Sequence, residues 1–139
     1  LDRKSYMTVV MLGDGECWEG SIWEAAMFAG HHELNNLVGI IDRNSICTID
    51  FTENCIRLEP LESKWRDFGW DAVTIDGHSF EEIFSAFKGF RTRKSKKPLM
   101  IIANTIKGKG VSLLENNPMG HVIIPTGEQL AKAREELRK

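Results

Sequence analysis

Three short-armed oxygen-bearing residues close apolar runs in this chain. Asp14 follows residues 6–12 (YMTVVML), and Asp42 and Asn44 follow residues 37–41 (LVGII). If both runs are parallel strands, Asp14 and Asn44 lie one strand–helix–strand unit apart and come to the same sheet edge. Ligands of open parallel sheets bind at that edge, beyond the carboxyl ends of the strands. A carboxylate, an amide oxygen and a backbone carbonyl form a hard donor set, suited to magnesium or calcium, which keep water or phosphate oxygens as further ligands. Gly13 and Gly15 flank Asp14. Without a Cβ they let a phosphate approach the backbone and meet its N–H groups. Gly-Asp-Gly taken alone is also an ordinary strand-to-helix turn; the apolar runs and the position of Asn44 are what raise it above that.

The elements that must position these residues are legible. Residues 6–12 and 37–41 are joined by two further apolar runs, 71–75 (DAVTI) and 99–103 (LMIIA), the last entered through Pro98. Near-continuous apolar, β-branched runs of this length read as strands buried on both faces. Helical spacing appears between them. Residues 21–33 place Ile22, Ala25, Ala26, Ala29 and Gly30 on one face, small enough to lie close on a sheet. Leu58, Leu61, Trp65 and Phe68 fit a short amphipathic helix. Ser79 is an N-cap for a helix over 80–90, with Glu81 and Glu82 in its first turn and Ile83, Phe84 and Phe87 as its apolar face. Thr126 caps a last helix over 127–138, with Leu130 and Leu137 as anchors. Alternating strands and helices predict an α/β fold: a three-layer parallel sheet with helices on both faces and right-handed crossovers.

The whole chain bounds the function. Its 139 residues fit one domain, with 42% hydrophobic and 27% charged residues, as in ordinary globular proteins. With 18 Lys and Arg against 20 Asp and Glu the net charge is −2, which supplies no bulk attraction to nucleic acid or an anionic membrane. No apolar run approaches the roughly 20 residues that span a bilayer. The basic stretch 91–97 (RTRKSKK) reads as a solvated helix end favoured by the helix dipole. Cys17, Cys47 and Cys55 form no CxxC pair, and an odd number fits a reduced, cytoplasmic setting better than a disulfide framework. A Leu at position 1 suggests a piece of a longer chain.

A longer series of motifs runs through the same positions. Gly13-Asp14-Gly15-Glu16 is followed by Glu19-Gly20, Trp23-Glu24-Ala25-Ala26, Ala29-Gly30-His31-His32, Leu34-Asn35-Asn36-Leu37 and Asp42-Arg43-Asn44. Then come Leu58-Glu59-Pro60-Leu61, Lys64-Trp65, Phe68-Gly69-Trp70, Asp76-Gly77-His78, the block 103–112 (ANTIKGKGVS) and Glu115-Asn116-Asn117-Pro118. This series resembles the thiamine diphosphate signature and, more narrowly, the transketolases, from about Val9 to the last helix. Trp23-Glu24-Ala25-Ala26 and Phe68-Gly69-Trp70 match transketolases better than deoxyxylulose phosphate synthase.

The resemblance implies a role for each matching residue. Asp14 and Asn44 correspond to side-chain metal ligands and Ile46 to the backbone-carbonyl ligand of a Mg2+ or Ca2+ ion that bridges to the diphosphate. Gly13, Gly15 and Glu16 belong to the cofactor-binding signature, with the Gly15 N–H against a phosphate. Ile49 corresponds to an apolar residue lining the cofactor. Glu19 corresponds to a glutamate beside the cofactor at a subunit contact, and is otherwise an exposed first-turn acid. His121 stands where the family has the histidine of Trp-His-Gly, near the diphosphate and the reacting substrate. Glu19 and His121 are thus the implied catalytic residues. The chain departs from the family at Gly120-His121-Val122, at Phe51 after Asp50, where Gly is usual, and at Cys47-Thr48, where one residue fewer is normal.

The implied molecule is therefore a single partial diphosphate-binding domain over residues 1–139, incomplete on its amino-terminal side. It would be a transferase subunit moving a two-carbon ketol unit from a ketose phosphate to an aldose phosphate. It would act only with a pyrimidine-domain, carboxy-terminal transketolase subunit, in a homo- or hetero-oligomer whose contact lies near Glu19, Trp23 and Met27. The alternatives are a split transketolase-like subunit of a biosynthetic pathway and a catalytically silent partner-binding fragment. Other polar residues read as bystanders or stay open. His31 and His32 suit a helix end, and His78 a local loop bond. Cys17, near a helix start, reads as an inert small side chain. Lys107 and Lys109 either face a phosphate or are solvated.

Overall fold

The computed structural model describes residues 6–138. Four strands are present among them: β1 (Thr8–Gly13), β2 (Leu37–Arg43), β3 (Asp71–Asp76) and β4 (Leu99–Asn104). They form one parallel sheet in the order β1-β2-β4-β3. The helices are α1 (Gly20–His31), α2 (Thr52–Cys55), α3 (Leu61–Asp67), α4 (Phe80–Thr92) and α5 (Gly127–Glu136).

The strand order explains the layering. From β1 to β2 to β3 the chain moves across the sheet in one direction, and from β3 to β4 it steps back. A right-handed crossover places the connecting helix on one face for a forward step and on the other for a backward step. Accordingly α1 and α3 cover one face, where Ala26, Ala29, Leu61 and Trp65 pack on Leu12, Ile41, Met100 and Ile102. The helix of the backward step, α4, covers the other, where Ile83, Ala86, Phe87 and Phe90 pack on Val38, Ile75, Leu99 and Ile101.

The small residues of α1 set its distance from its neighbours. A Cβ on Gly30 would fall 2.0 Å from the Phe68 carbonyl oxygen, so the turn between α3 and β3 rests directly on this helix. That turn needs Gly69, whose φ is +86°. Trp70 locks the junction from below by donating its indole N–H to the Ala26 carbonyl at 2.9 Å.

Several expectations change. The run 6–12 is not buried on both faces: Val9, Val10 and Met11 are exposed, Met11 by 69%, and Leu12 is the one buried side chain of β1. β1 is an edge strand among the described residues, and α4 lies over β3 and β4 without reaching it. In α4 the sheet-facing stripe is Ile83, Ala86, Phe87 and Phe90, while Phe84 points outward with 69% exposure. Phe84 sits about 100° around the helix from Ile83, off the stripe. In α5, Leu130 is exposed and the small Ala133 is the buried contact, and Leu137, just past its end, is exposed too. The Thr126 side chain makes no capping bond, whereas Ser79 accepts from the Glu82 N–H at 3.2 Å as expected. Trp23 turns inward, stacking on Trp65 and Phe68 at centroid distances of 5.3 and 5.5 Å and donating to the Cys17 carbonyl. Met27 and Phe28 are the outward apolar residues of that helix.

Candidate cofactor site at the carboxyl edge of the sheet

Parallel pairing aligns Gly13 with Asp42, so the segments after β1 and β2 leave the sheet side by side. Asp14, 2% exposed, lies at the start of a 3-10 turn, Gly15–Trp18. Its Oδ1 accepts from the Gly15 N–H at 2.8 Å. Its Oδ2 accepts from the Ser45 N–H at 2.6 Å. Ser45 is in the left-handed region, φ +64°, and this turns the chain so that its amide faces Asp14. The neighbouring Asn44 holds the same turn from its other side. Its Oδ1 accepts from the Ile46 N–H at 3.0 Å, and its amide donates to Asp42 at 3.1 Å. Asp42 also takes the Thr105 hydroxyl, which ties in the segment after β4. Asp14, Asn44 and Ile46 are thus brought to one turn. The Ile46 carbonyl oxygen accepts no hydrogen bond among the described residues.

Arg43 organises the second side of the site, and sequence reasoning did not single it out. Its side chain is 6% exposed and meets three carboxylates. It reaches Asp14 at 3.1 Å, Glu53 at 2.9 Å and Glu59 at 3.1 Å, and donates to the Thr52 hydroxyl at 2.7 Å. Burial alone would pull the Arg43 pKa down, but its bonds to Asp14 and Glu59 outweigh that and raise it. The signal was present in sequence: an arginine at the buried end of an apolar strand must find carboxylates. Which carboxylates they are depends on the fold.

The residues present fit the implied cofactor. The donors at the turn are a carboxylate, an amide oxygen and an unengaged carbonyl, all hard oxygens. A Cβ added to Gly13 would meet nothing closer than 4.0 Å, and one added to Gly15 nothing closer than 3.5 Å. Neither glycine has a positive φ. Packing within the chain therefore does not demand glycine at these positions, and the bare backbone there is room for a ligand. The Gly13 N–H is held by Glu16 Oε2 at 3.0 Å and the Gly15 N–H by Asp14. These carboxylates hold the donors that a phosphate oxygen would take.

The remaining expected residues lie on three separate segments. Glu19 is exposed between the 3-10 turn and α1. Ile49 is 77% exposed in the turn before α2. His121 closes a second 3-10 turn, Pro118–His121, is exposed, and has no hydrogen bond to Asp14 or Asn44 among the described residues. His78 bonds locally, as expected, its N–H donating to Asp76 Oδ1 at 2.8 Å, and also across loops, its Nε2 accepting from the Ile106 N–H at 2.8 Å. The Lys107 carbonyl accepts from the Asn116 N–H, so the lysine-glycine loop is tied back to the segment leading to His121. Cys17 is buried, 1% exposed. Burial first, then Asp14 and Glu16, push its pKa up to about 12.

Comparison with known proteins agrees with this geometry. The family described as "Transketolase, thiamine diphosphate binding domain" matches residues 2–137. The 6-deoxy-6-sulfo-D-fructose transketolase subunit SqwG of a Clostridium species is 46% identical over 139 residues, covering 100% of this chain and 50% of the relative. An apulose-4-phosphate transketolase subunit of Phocaeicola vulgatus is 42% identical over 137 residues, covering 99% of this chain and 48% of the relative. The crystal structure of transketolase from Campylobacter jejuni superposes with a TM-score of 0.86 at 32% identity, covering 95% of this chain and 20% of that one. The chain thus spans about half the length of these two subunit relatives. With the parallel sheet, the Gly-Asp-Gly turn and a match over nearly every residue, the chain belongs to the thiamine diphosphate binding domain family of the transketolases.

Proposed function

We propose that this chain is the diphosphate-anchoring subunit of a split transketolase-like transferase, a single partial domain that works with a pyrimidine-domain chain. The observation that supports the reading is the turn after β2, in which Ser45, flanked by Asn44 and by Ile46 with its unengaged carbonyl, donates its N–H to Asp14. Asp14, Asn44 and Ile46 would hold a magnesium or calcium ion. The N–H groups of Gly13 and Gly15 would donate to diphosphate oxygens, with Glu16 and Asp14 releasing them. Ile49 supplies apolar surface toward the cofactor, and Glu19 lies at the subunit contact. Thiamine diphosphate, when bound, supplies the nucleophile and electron sink by which a two-carbon ketol unit leaves one sugar and joins another. His121 would hold or move a proton at the hydroxyl or carbonyl oxygen of the reacting sugar, a role an exposed imidazole can take.

The relatives suggest the substrate class. Their names pair apulose-4-phosphate and 6-deoxy-6-sulfo-D-fructose with transketolase subunits. Both names describe sugars or sugar derivatives that carry an anionic group, so a ketose bearing phosphate or sulfonate is the donor proposed here. No helix among the described residues is long and apolar enough to cross a membrane. We further propose a cytoplasmic setting, in keeping with three cysteines that are all free thiols.

Calorimetry of thiamine diphosphate with magnesium tests the site. Asp14→Ala removes the charged ligand and should weaken metal-dependent binding at least about tenfold, roughly 1.4 kcal/mol. Asn44→Ala removes a neutral ligand and should cost less. Binding by Asp14→Ala equal to that of the parent chain would overturn the assignment.

A further inference from the structure

Two cysteines that the sequence separates meet beside the candidate site. Cys47 and Cys55 are eight residues apart, and their sulfurs lie 3.7 Å from each other. Both are free thiols and half-buried. The turn between them causes the meeting. Ile46 and Phe51 form an antiparallel bridge, closed by the Cys47 N–H to the Asp50 carbonyl at 2.9 Å and the Thr52 N–H to the Ser45 carbonyl at 2.9 Å. α2 then starts at Thr52 and returns Cys55 to Cys47. A disulfide has its sulfurs about 2.05 Å apart, so the pair must close by roughly 1.7 Å, a distance that side-chain rotation and a small loop adjustment can supply.

We propose that Cys47 and Cys55 form an oxidative modification site, a dithiol that a peroxide converts to a disulfide. The chemistry balances. One thiol attacks the peroxide, the O–O bond breaks, and a sulfenic acid and a water result. The second thiol attacks the sulfenic sulfur. An S–S bond forms, the S–O bond breaks, and the hydroxyl leaves as a second water with the attacking thiol's proton. The two cysteines lose two hydrogens in all, and a thiol reductant restores them. Cys17 stays outside this chemistry because it is 1% exposed.

The disulfide reaches the cofactor edge through short contacts. The Cys47 thiol donates to the Asp50 carbonyl at 3.0 Å, and oxidation removes that donor. The Cys47 Cβ lies 3.5 Å from where a Gly15 Cβ would stand, so Cys47 borders the Gly15 turn. Cys47 also directly follows Ile46. Oxidation is therefore expected to weaken thiamine diphosphate binding, a consequence that rests on the proposed function, whereas the disulfide itself does not.

The test treats the full protein with hydrogen peroxide and then alkylates it under denaturing conditions. The expected result is a loss of two hydrogens, a crosslinked peptide joining Cys47 to Cys55, an alkylated Cys17, and full reversal by dithiothreitol. Cys47→Ser and Cys55→Ser should each fail to lose two hydrogens and leave a sulfenic acid that dimedone traps on the remaining partner. Free, alkylatable Cys47 and Cys55 after a peroxide dose that forms that trapped acid in either variant would overturn the site. Calorimetry with thiamine diphosphate and magnesium is then run on reduced and oxidised protein. About a tenfold loss on oxidation is expected. Equal affinities would overturn the link to the cofactor edge, and absence of binding by the reduced protein alongside a formed disulfide would overturn the proposed function instead.

Discussion

At the scale of single residues the site is governed by one buried charge cluster. Asp14 is nearly inaccessible, and its oxygens face two amides and the Arg43 guanidinium. The turn that presents Asn44 and Ile46 therefore depends on Arg43 as well as on the candidate ligands. Arg43→Met keeps an unbranched apolar stem but removes the guanidinium and leaves Asp14 buried without its cation. Removing one partner of a buried ion pair costs about 3–5 kcal/mol, because the other charge stays desolvated. Urea denaturation should show a loss of this order. A midpoint unchanged from the parent would show that water or another cation already compensates Asp14.

At the scale of elements, the packing of α1 and the tether of α3 to the sheet make separate predictions. Gly30 lets the turn after α3 lie against α1, and the Phe68 carbonyl oxygen occupies the place a Cβ would need. Backbone cannot rotate aside as a flexible side chain does. Gly30→Ala should destabilise the fold by about 1–3 kcal/mol or more, the range of overpacked cores, and a lowered melting temperature reads this. On the other side of α3, Glu62 accepts from the Thr74 hydroxyl at 2.5 Å and from Arg66 at 2.7 Å. The Thr74 bond, then Arg66, hold the Glu62 carboxyl below its ordinary range. A depressed folded pKa means that the unfolded chain binds the proton more readily. The tether therefore stabilises the fold at pH above the usual glutamate range, and this is lost as pH falls through the depressed value. Glu62→Gln should melt below the parent at neutral pH, and the gap should narrow in melts taken progressively below about pH 4.3, the usual glutamate value. A gap constant with pH would place the effect in packing rather than charge.

At the scale of the whole molecule, apolar surface remains open on β1 and on α1, among other described residues. β1 presents Val9, Val10 and Met11, and α1 presents Met27 and Phe28. An edge strand with unpaired backbone groups and an apolar rim is prone to association. The chain spans about half of its subunit relatives. The expected behaviour is no ketol transfer by this chain alone, and turnover with formation of a complex when a pyrimidine-domain chain is added. Light scattering and a coupled assay on the mixture check this. Steady turnover by the single purified chain would exclude a half-enzyme.

What the sequence determined by itself follows from local rules. The four apolar runs, the helices between them and the cap at Ser79 depend on spacing and on residue type within a few positions. The observed strands end one or two residues beyond the predicted runs, and β1 starts at Thr8 rather than Tyr6. Gly13-Asp14-Gly15 and Asp42-Arg43-Asn44 were visible because chemistry-bearing residues directly follow those runs. Distances across the chain were decided by the tertiary structure. Strand order set which face each helix covers, and so left Met11 exposed on an edge strand although its local pattern called for burial. The same order brought Arg43 to Asp14, Glu53 and Glu59, three carboxylates scattered along the chain. The bridge between Ile46 and Phe51 brought Cys47 to Cys55 without any recognisable cysteine spacing. Periodicity reports which face of one element is apolar; it carries no information on what a neighbouring element places against that face.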